Sequence, residues 1–153
     1  MPEKKTKAPA QSGPTVIDAA DHVLGRMATQ LAKRLLAGEK IVVINAEQAR
    51  ILGSPTSIKA KYHFRTHVGN ERKGPFYPRM PHMIFKRTVR GMLPFSLPRG
   101  REALKRLICH IGVPDEFKSA KPETIEQAKK PQAPGMSLLE VSRYLGKNIE
   151  VTA

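Results

Sequence analysis

Tryptophan is absent from this chain, and cysteine occurs once, as Cys109. A single thiol excludes an intramolecular disulfide and fits a reducing compartment. With no Trp, the chain lacks the aromatic-rich apolar face that membrane-surface proteins set beside their cations. No run approaches the roughly 20 apolar residues of a membrane-spanning helix. The opening MPEKKTKAPAQSGP has no apolar stretch of the kind a secretory signal needs. A soluble cytoplasmic protein without a membrane partner is the expectation. The most informative scarcity is local. Between residues 59 and 106 only Glu71 and Glu102 stand against thirteen Lys and Arg, a net charge of +11 out of +14 for the whole chain. Residues 107–153 carry six charges of each sign. A solvated helix face mixes signs, because like charges one turn apart repel by a few tenths of a kcal/mol. An uncompensated third of the chain points instead to a polyanion, with nucleic acid as the foremost candidate.

Catalytic and cofactor signatures are equally scarce. The first strand–helix junction, DAADHVLGRMA, has neither G-x-G-x-x-G nor G-x-x-x-x-G-K-[ST], since Gly25 stands alone. His63 and His67 have a spacing that can hold zinc, with His82 further along, but no Glu follows His63 and the cysteine is remote. Asp18, Asp21, Glu39 and Glu47 could gather a metal for a nuclease, although Asp21 reads better as a helix cap and Glu39 as a loop residue. Cys109, in an apolar run, reads as a small buried hydrophobe. No enzyme, metal or cofactor is expected.

The 40% apolar content suits one folded body with a real core. TVIDA (15–19) reads as a buried strand, and Leu24, Met27, Ala28, Leu31 and Leu35 recur at helical spacing up to a stop at Gly38. KIVVINA (40–46) is a β-branched run suited to a strand covered on both faces. RILGS (50–54) reads as another strand, followed by a helix capped by Ser54 with Pro55 at its first position and with Ile58 and Tyr62 inward. Two glycines and three prolines make 68–82 an extended loop. FKRTVRGMLP belongs to a helix at about 81–92, with Phe85, Val89 and Met92 on one stripe and Lys86, Arg87 and Arg90 projecting elsewhere. A further helix should reach Arg106, with a strand over 107–111. SLLEVSRYLG opens with a capping box, Ser137 and Glu140, and forms a short terminal helix. The organisation is then a flexible basic tail (1–14), an α/β core (15–117), a Pro/Lys-rich linker (118–135) and a C-terminal helix within 136–153, packed on the core or on a neighbour.

Candidate RNA contacts are Lys59, Lys61, Arg65, His67, Arg72, Lys73, Tyr77, Arg79, Lys86, Arg87, Arg90, Arg99, Arg101, Lys105 and Arg106. Phe76 and Tyr77, between two prolines and flanked by cations, either plug into the surface or stack on unpaired bases, Tyr77 being favoured for stacking. Gly91 either lets a phosphate or sugar approach a bare backbone or merely ends its helix in a left-handed conformation.

Two blocks carry a family likeness. LGRMATQLAKRLLAGEKIVVINAEQARILGSP (24–55) and RGMLPFSLPRGREALKRLICHIGVPDEF (90–117) resemble the L-thirteen family of large-subunit ribosomal proteins, as do YHFRTH and GPFYPRMP. The likeness spans residues 15–117, and the spacing is that of the archaeal and eukaryotic branch. The lack of a long C-terminal extension points to the archaeal side. The resemblance implies a three-layer α/β/α domain with a four-stranded parallel sheet, ribosomal RNA and neighbouring large-subunit proteins as partners, no homo-oligomer, an early role in subunit assembly and no catalysis. A free nucleic-acid-processing enzyme or another RNA-binding module is the alternative.

Overall fold

The computed structural model describes residues 13–70, 72–129 and 134–149. The tail expected at 1–14 lies almost wholly outside them. Strand β1 (Thr15–Asp18) leads into helix α1 (Leu24–Leu36) and then strand β2 (Ile41–Ile44), which pairs parallel to β1 with Ile17 opposite Val43. This is the β-α-β unit that the periodicities indicate. Leu24, Met27, Ala28, Leu31, Ala32 and Leu35 form the buried stripe of α1, and Gly38, at φ +104, turns the chain out of it. Asp21 does not cap α1. It sits exposed in a left-handed turn at φ +58, and Val23 occupies the capping position without a side-chain bond. Asp18 takes the local bonds instead: its Oδ1 accepts from the Ala20 amide at 2.9 Å and from Asn45 Nδ2 at 3.0 Å.

Strand β3 (Arg50–Leu52) follows β2 after a single 3-10 turn, Ala46–Gln48. So short a connection cannot bring it back parallel beside β2, because a parallel crossover needs a dozen residues or more. It pairs antiparallel with strand β5 (Gly135–Ser137), Ile51 opposite Met136. Hence the expected four-stranded parallel sheet is corrected. Among the described residues the parallel sheet has three strands in the order β1-β2-β4, with β4 at Leu107–Cys109, and the β3–β5 pair stands apart. The outer edge of β1 is extended by one residue: Glu123 bridges parallel to Ile17, donating to the Val16 carbonyl and accepting from the Asp18 amide.

Helix α2 (Pro55–His67) starts at Pro55 after Ser54, and Ile58 and Tyr62 are its buried anchors. Helix α3 (Pro81–Met92) and helix α4 (Pro98–Lys105) each begin on a proline, whose missing N–H would have been unsatisfied there anyway. Helix α5 (Leu138–Tyr144) carries the full capping box, Ser137 Oγ accepting from the Glu140 amide and Glu140 Oε2 from the Ser137 amide.

One core unites the stripes of α1, α3 and α5 with Ile17, Ile41, Val43 and Leu107 of the sheet. Each such Leu, Ile or Phe stabilises by about 1.5–3 kcal/mol when fully buried. Among the described residues the opposite face of the sheet shows Val16, Val42 and Ile44, covered by Phe117 and Ala120 from a 3-10 turn and the segment after it rather than by an α-helical layer. The three-layer expectation is therefore corrected on that side.

The stretch 118–129 runs against β1 and α1. Val23 donates its amide to the Ala128 carbonyl. His22, fully buried, accepts the Ile125 amide at Nε2 (3.1 Å), while its Nδ1 lies 2.6 Å from the Ala20 carbonyl. This is the neutral imidazole with the proton on Nδ1.

Candidate nucleic-acid interface

Two tyrosines organise the centre of the charged third. Tyr62, an anchor of α2, meets the edge of Tyr77 from the 68–80 loop at 5.9 Å between ring centres. Burial first, and then its neighbour Tyr77, push the Tyr62 phenol well above the usual tyrosine range, so it is neutral at every physiological pH. The Arg65 guanidinium lies 5.5 Å from the centre of the Tyr77 ring and 5.9 Å from that of Tyr62, and the Arg87 guanidinium lies 5.8 Å from the Tyr77 ring. Guanidinium–ring attraction is worth about 0.5–1 kcal/mol at exposed sites. It holds the two arginines in place without neutralising them. Tyr77 is thus half-buried and engaged on the protein side, whereas the ring beside it, Phe76, is 72% exposed. Of the two readings for this pair, Phe76 presents the open face, not the favoured Tyr77.

The other sequence candidates fall into separate places. Lys61 joins Arg65, Tyr77 and Arg87 around one groove between α2, α3 and β3. Lys59 lies on another side of α2, its Nζ 5.5 Å from the Tyr144 ring centre. His67 stacks on His63 with ring centres 3.9 Å apart, and its Nδ1 lies 2.9 Å from the His63 carbonyl. Arg72 and Lys73 sit exposed on a loop tip closed by the Asn70–Gly74 bridge, where the Gly74–Pro75 peptide is cis. Arg79 is exposed, and its carbonyl accepts from Ser142 Oγ of α5 at 2.7 Å. Lys86 points away from its neighbour Arg87, because successive helical residues diverge by about 100°. Its charge is felt at His82, one turn back on α3, and at Cys109 of β4 instead.

Arg90 packs over Phe95 at 3.9 Å and marks the corner into α4. At that corner Gly100 lies against the Pro94 carbonyl so closely that a Cβ would collide with it, which leaves the flanking Arg99 and Arg101 exposed. Lys105 is exposed on the same helix. Arg106 belongs to the scaffold: half-buried, it donates from Nη2 to the Leu35 carbonyl at 3.0 Å and ties the end of α4 to the end of α1.

Among the described residues the ion pairs are Arg34–Glu39, Arg34–Glu123 and Lys118–Asp115, and none draws on a cation between 59 and 106. Among the described residues the charged third is therefore uncompensated in three dimensions as well as in sequence. The carboxylates weighed for catalysis are dispersed. Glu39 pairs with Arg34 at 2.7 Å, and buried Glu47 accepts the Gly112 amide at 3.1 Å. No cluster of three or more His, Cys, Asp or Glu side chains suited to a metal occurs among the described residues. Burial pushes the Cys109 thiol up to about 12, which keeps it protonated and unreactive. No described helix is long and apolar enough to cross a membrane.

Phe64 escaped sequence reasoning as an open ring, and Phe76 was weighed for stacking only behind Tyr77. Phe64, 67% exposed, was legible in principle: with Ile58 and Tyr62 inward at i and i+4, position 64 must face outward.

Comparison with known proteins gives the same direction as the charge. Residues 13–116 match the family described as ribosomal protein L13. A large ribosomal subunit protein uL13 from Archaeoglobus fulgidus is 48% identical over 136 residues, covering 86% of this chain and 87% of its own length. Its counterpart from Methanopyrus kandleri is 51% identical over 116 residues, 74% of this chain and 73% of its own. That from Natronomonas pharaonis is 47% identical over 137 residues, 88% and 92%. With an α/β core, a cationic third left without carboxylate partners among the described residues, and this degree of identity along most of its length, the chain belongs to the ribosomal protein L13 family.

Proposed function

We propose that this protein is a non-enzymatic, structural constituent of the large ribosomal subunit, where it binds ribosomal RNA and supports early assembly in the cytoplasm. The observation that carries the reading is the absence of carboxylate partners for the cations of 59–106 among the described residues. Lys61, Arg65 and Arg87 serve at the α2–α3 face, Arg99, Arg101 and Lys105 on α4, and Arg72 and Lys73 at the loop tip. Arginine suits bidentate phosphate contact and lysine a point charge. Most contacts are to the backbone, so the RNA is read mainly by shape. Tyr77 acts by holding Arg65 and Arg87, and Arg106 by fixing α4. The partners are ribosomal RNA and neighbouring large-subunit proteins, with no membrane and no second copy of this chain.

Density-gradient sedimentation of extract from cells expressing a tagged chain tests this. The tagged chain should travel with large subunits and leave them only at high salt. A chain that stays with free protein at low salt would contradict the reading.

A further inference from the structure

The groove between α2, α3 and β3 has more apolar character than phosphate contact requires. It encloses about 850 Å³, within the roughly 300–1,000 Å³ of ligand clefts. Phe64 and Phe76 stand on it largely exposed, with Val68 beside them. Lys61, Arg65 and Arg87 surround it, and among the described residues that line it there is no Asp or Glu. Its floor is bare backbone in two places. Gly25 of α1 and Gly91 of α3 both line it, and a Cβ at either would meet nothing within 4 Å. Gly91 is helical and has no positive φ, so ending the helix does not explain it.

We propose that this groove receives unpaired nucleotides of RNA, their bases stacked on Phe64 and Phe76 and their phosphates met by Arg65, Arg87 and Lys61. The proposal rests on the RNA-binding reading above and deepens it, from backbone contact to capture of an unpaired segment. Charge selects the occupant. A second copy of this chain, at +14, and its own N-terminal residues, which carry Lys4, Lys5 and Lys7, are both repelled by three cations. An unpaired nucleotide offers both things the groove lacks, a negative group and a flat ring. A duplex offers the phosphates but keeps its base faces hidden. Stacking needs no particular base, so the site reads single-strandedness rather than sequence.

Binding of the full-length protein to oligouridylate and to an RNA duplex of equal phosphate number, at one salt concentration, tests the proposal. Phe64→Ala/Phe76→Ala should weaken oligouridylate binding by about tenfold per ring and leave duplex binding within about twofold. Phe64→Leu/Phe76→Leu, which keeps apolar bulk without a π face, is the second variant, and thermal melting verifies both folds. Arg65→Gln/Arg87→Gln should weaken both RNAs. Equal losses on the two RNAs for the Phe variants, or no loss on either, would overturn the proposal while leaving RNA binding intact. A wild-type protein that binds neither RNA would fail the broader reading instead. A glutamate–tyrosine copolymer serves as the third probe. Ring-dependent binding of that polymer without ring-dependent binding of oligouridylate would give the groove to an acidic protein segment and overturn the assignment to RNA.

Discussion

Arg34 and Arg65 show two ways of holding a guanidinium. Arg34, on α1, is gripped by Glu39 at 2.7 Å and by both oxygens of Glu123 at 3.0 Å. Burial works against its charge, yet the hydrogen bonds it donates to Glu123 and Glu39 leave its pKa raised. Arg65, on α2, is held by two tyrosine rings and retains its full charge toward solvent. The first arrangement consumes the charge to fasten 118–129 onto the core. The second fixes the position of a cation while leaving it free to meet an anion. One face of the molecule is thus built for internal cohesion and the other for an external partner. Six acidic residues lie in 107–153 and two in 59–106, and that imbalance decides which face is which.

The comparison breaks most visibly on the open face. Arg65→Gln/Arg87→Gln/Arg99→Gln/Arg101→Gln should lower Tm by only a few degrees, through the lost ring contacts of Arg65 and Arg87, and lower affinity for large-subunit RNA by on the order of a hundredfold. Each lost phosphate contact should flatten the log–log salt slope by about 0.7–0.9. An unchanged slope in a filter-binding series would mean that these arginines do not meet phosphates.

Two glycines sharpen the same contrast in stability. Gly100→Ala forces a Cβ against the Pro94 carbonyl and should destabilise by about 1–3 kcal/mol in thermal or urea melts. Gly91→Ala meets open space in a helix and should stabilise the free protein by up to about 1 kcal/mol. The same change should weaken RNA binding if the bare backbone admits a phosphate or sugar. A lowered melting temperature for Gly91→Ala would remove that role.

On the cohesive face, Arg34→Gln should cost about 1 kcal/mol. That is a fall of roughly 2–4 °C in Tm for a chain of this size. RNA affinity should hold, and a large drop in affinity with intact folding would show that the two faces are not separate.

The smallest effect concerns His82, whose pKa is lowered by burial first and then by His110 and Lys86. The unfolded chain therefore binds a proton at higher pH than the folded one. The corresponding stability is present above about pH 6.5 and is lost as pH falls through the lowered folded value. His82→Gln should flatten the acid side of a Tm–pH curve, and an identical curve would show that His82 contributes nothing there.

Local signals made much of this legible. Helix α3 begins at Pro81 and ends before Pro94 as its prolines require, α1 follows its apolar stripe, and the capping box at Ser137 is formed. What failed was what depends on distant partners. Strand β3 finds its mate at Met136, more than 80 residues on, and Gly135 permits the approach because any Cβ there would strike the Ile51 carbonyl. Nothing near residue 50 announces this. Asp21 has the chemistry of a cap, but the fully buried His22 beside it sets a different turn. The tyrosine hydroxyl favoured Tyr77 over its neighbour Phe76 as the open ring, and only Tyr62 arriving from α2 turns Tyr77 inward and leaves Phe76 outside. Arg106 looks like its neighbours on α4 until the carbonyl of Leu35 is seen to receive it. The composition of 118–135 shows polarity but not that Glu123 would meet Arg34.

Lysine acetylation of intact large subunits containing this chain, read by mass spectrometry against the free protein, tests the division of faces most directly. Lys59, Lys61, Lys73, Lys86, Lys105, Lys118 and Lys121 all lie in the described chain, so both faces report in one experiment. The account expects strong protection at Lys61, Lys73 and Lys105 and near-free reactivity at Lys118 and Lys121. Equal reactivity of the two groups, or protection confined to Lys118 and Lys121, would contradict it.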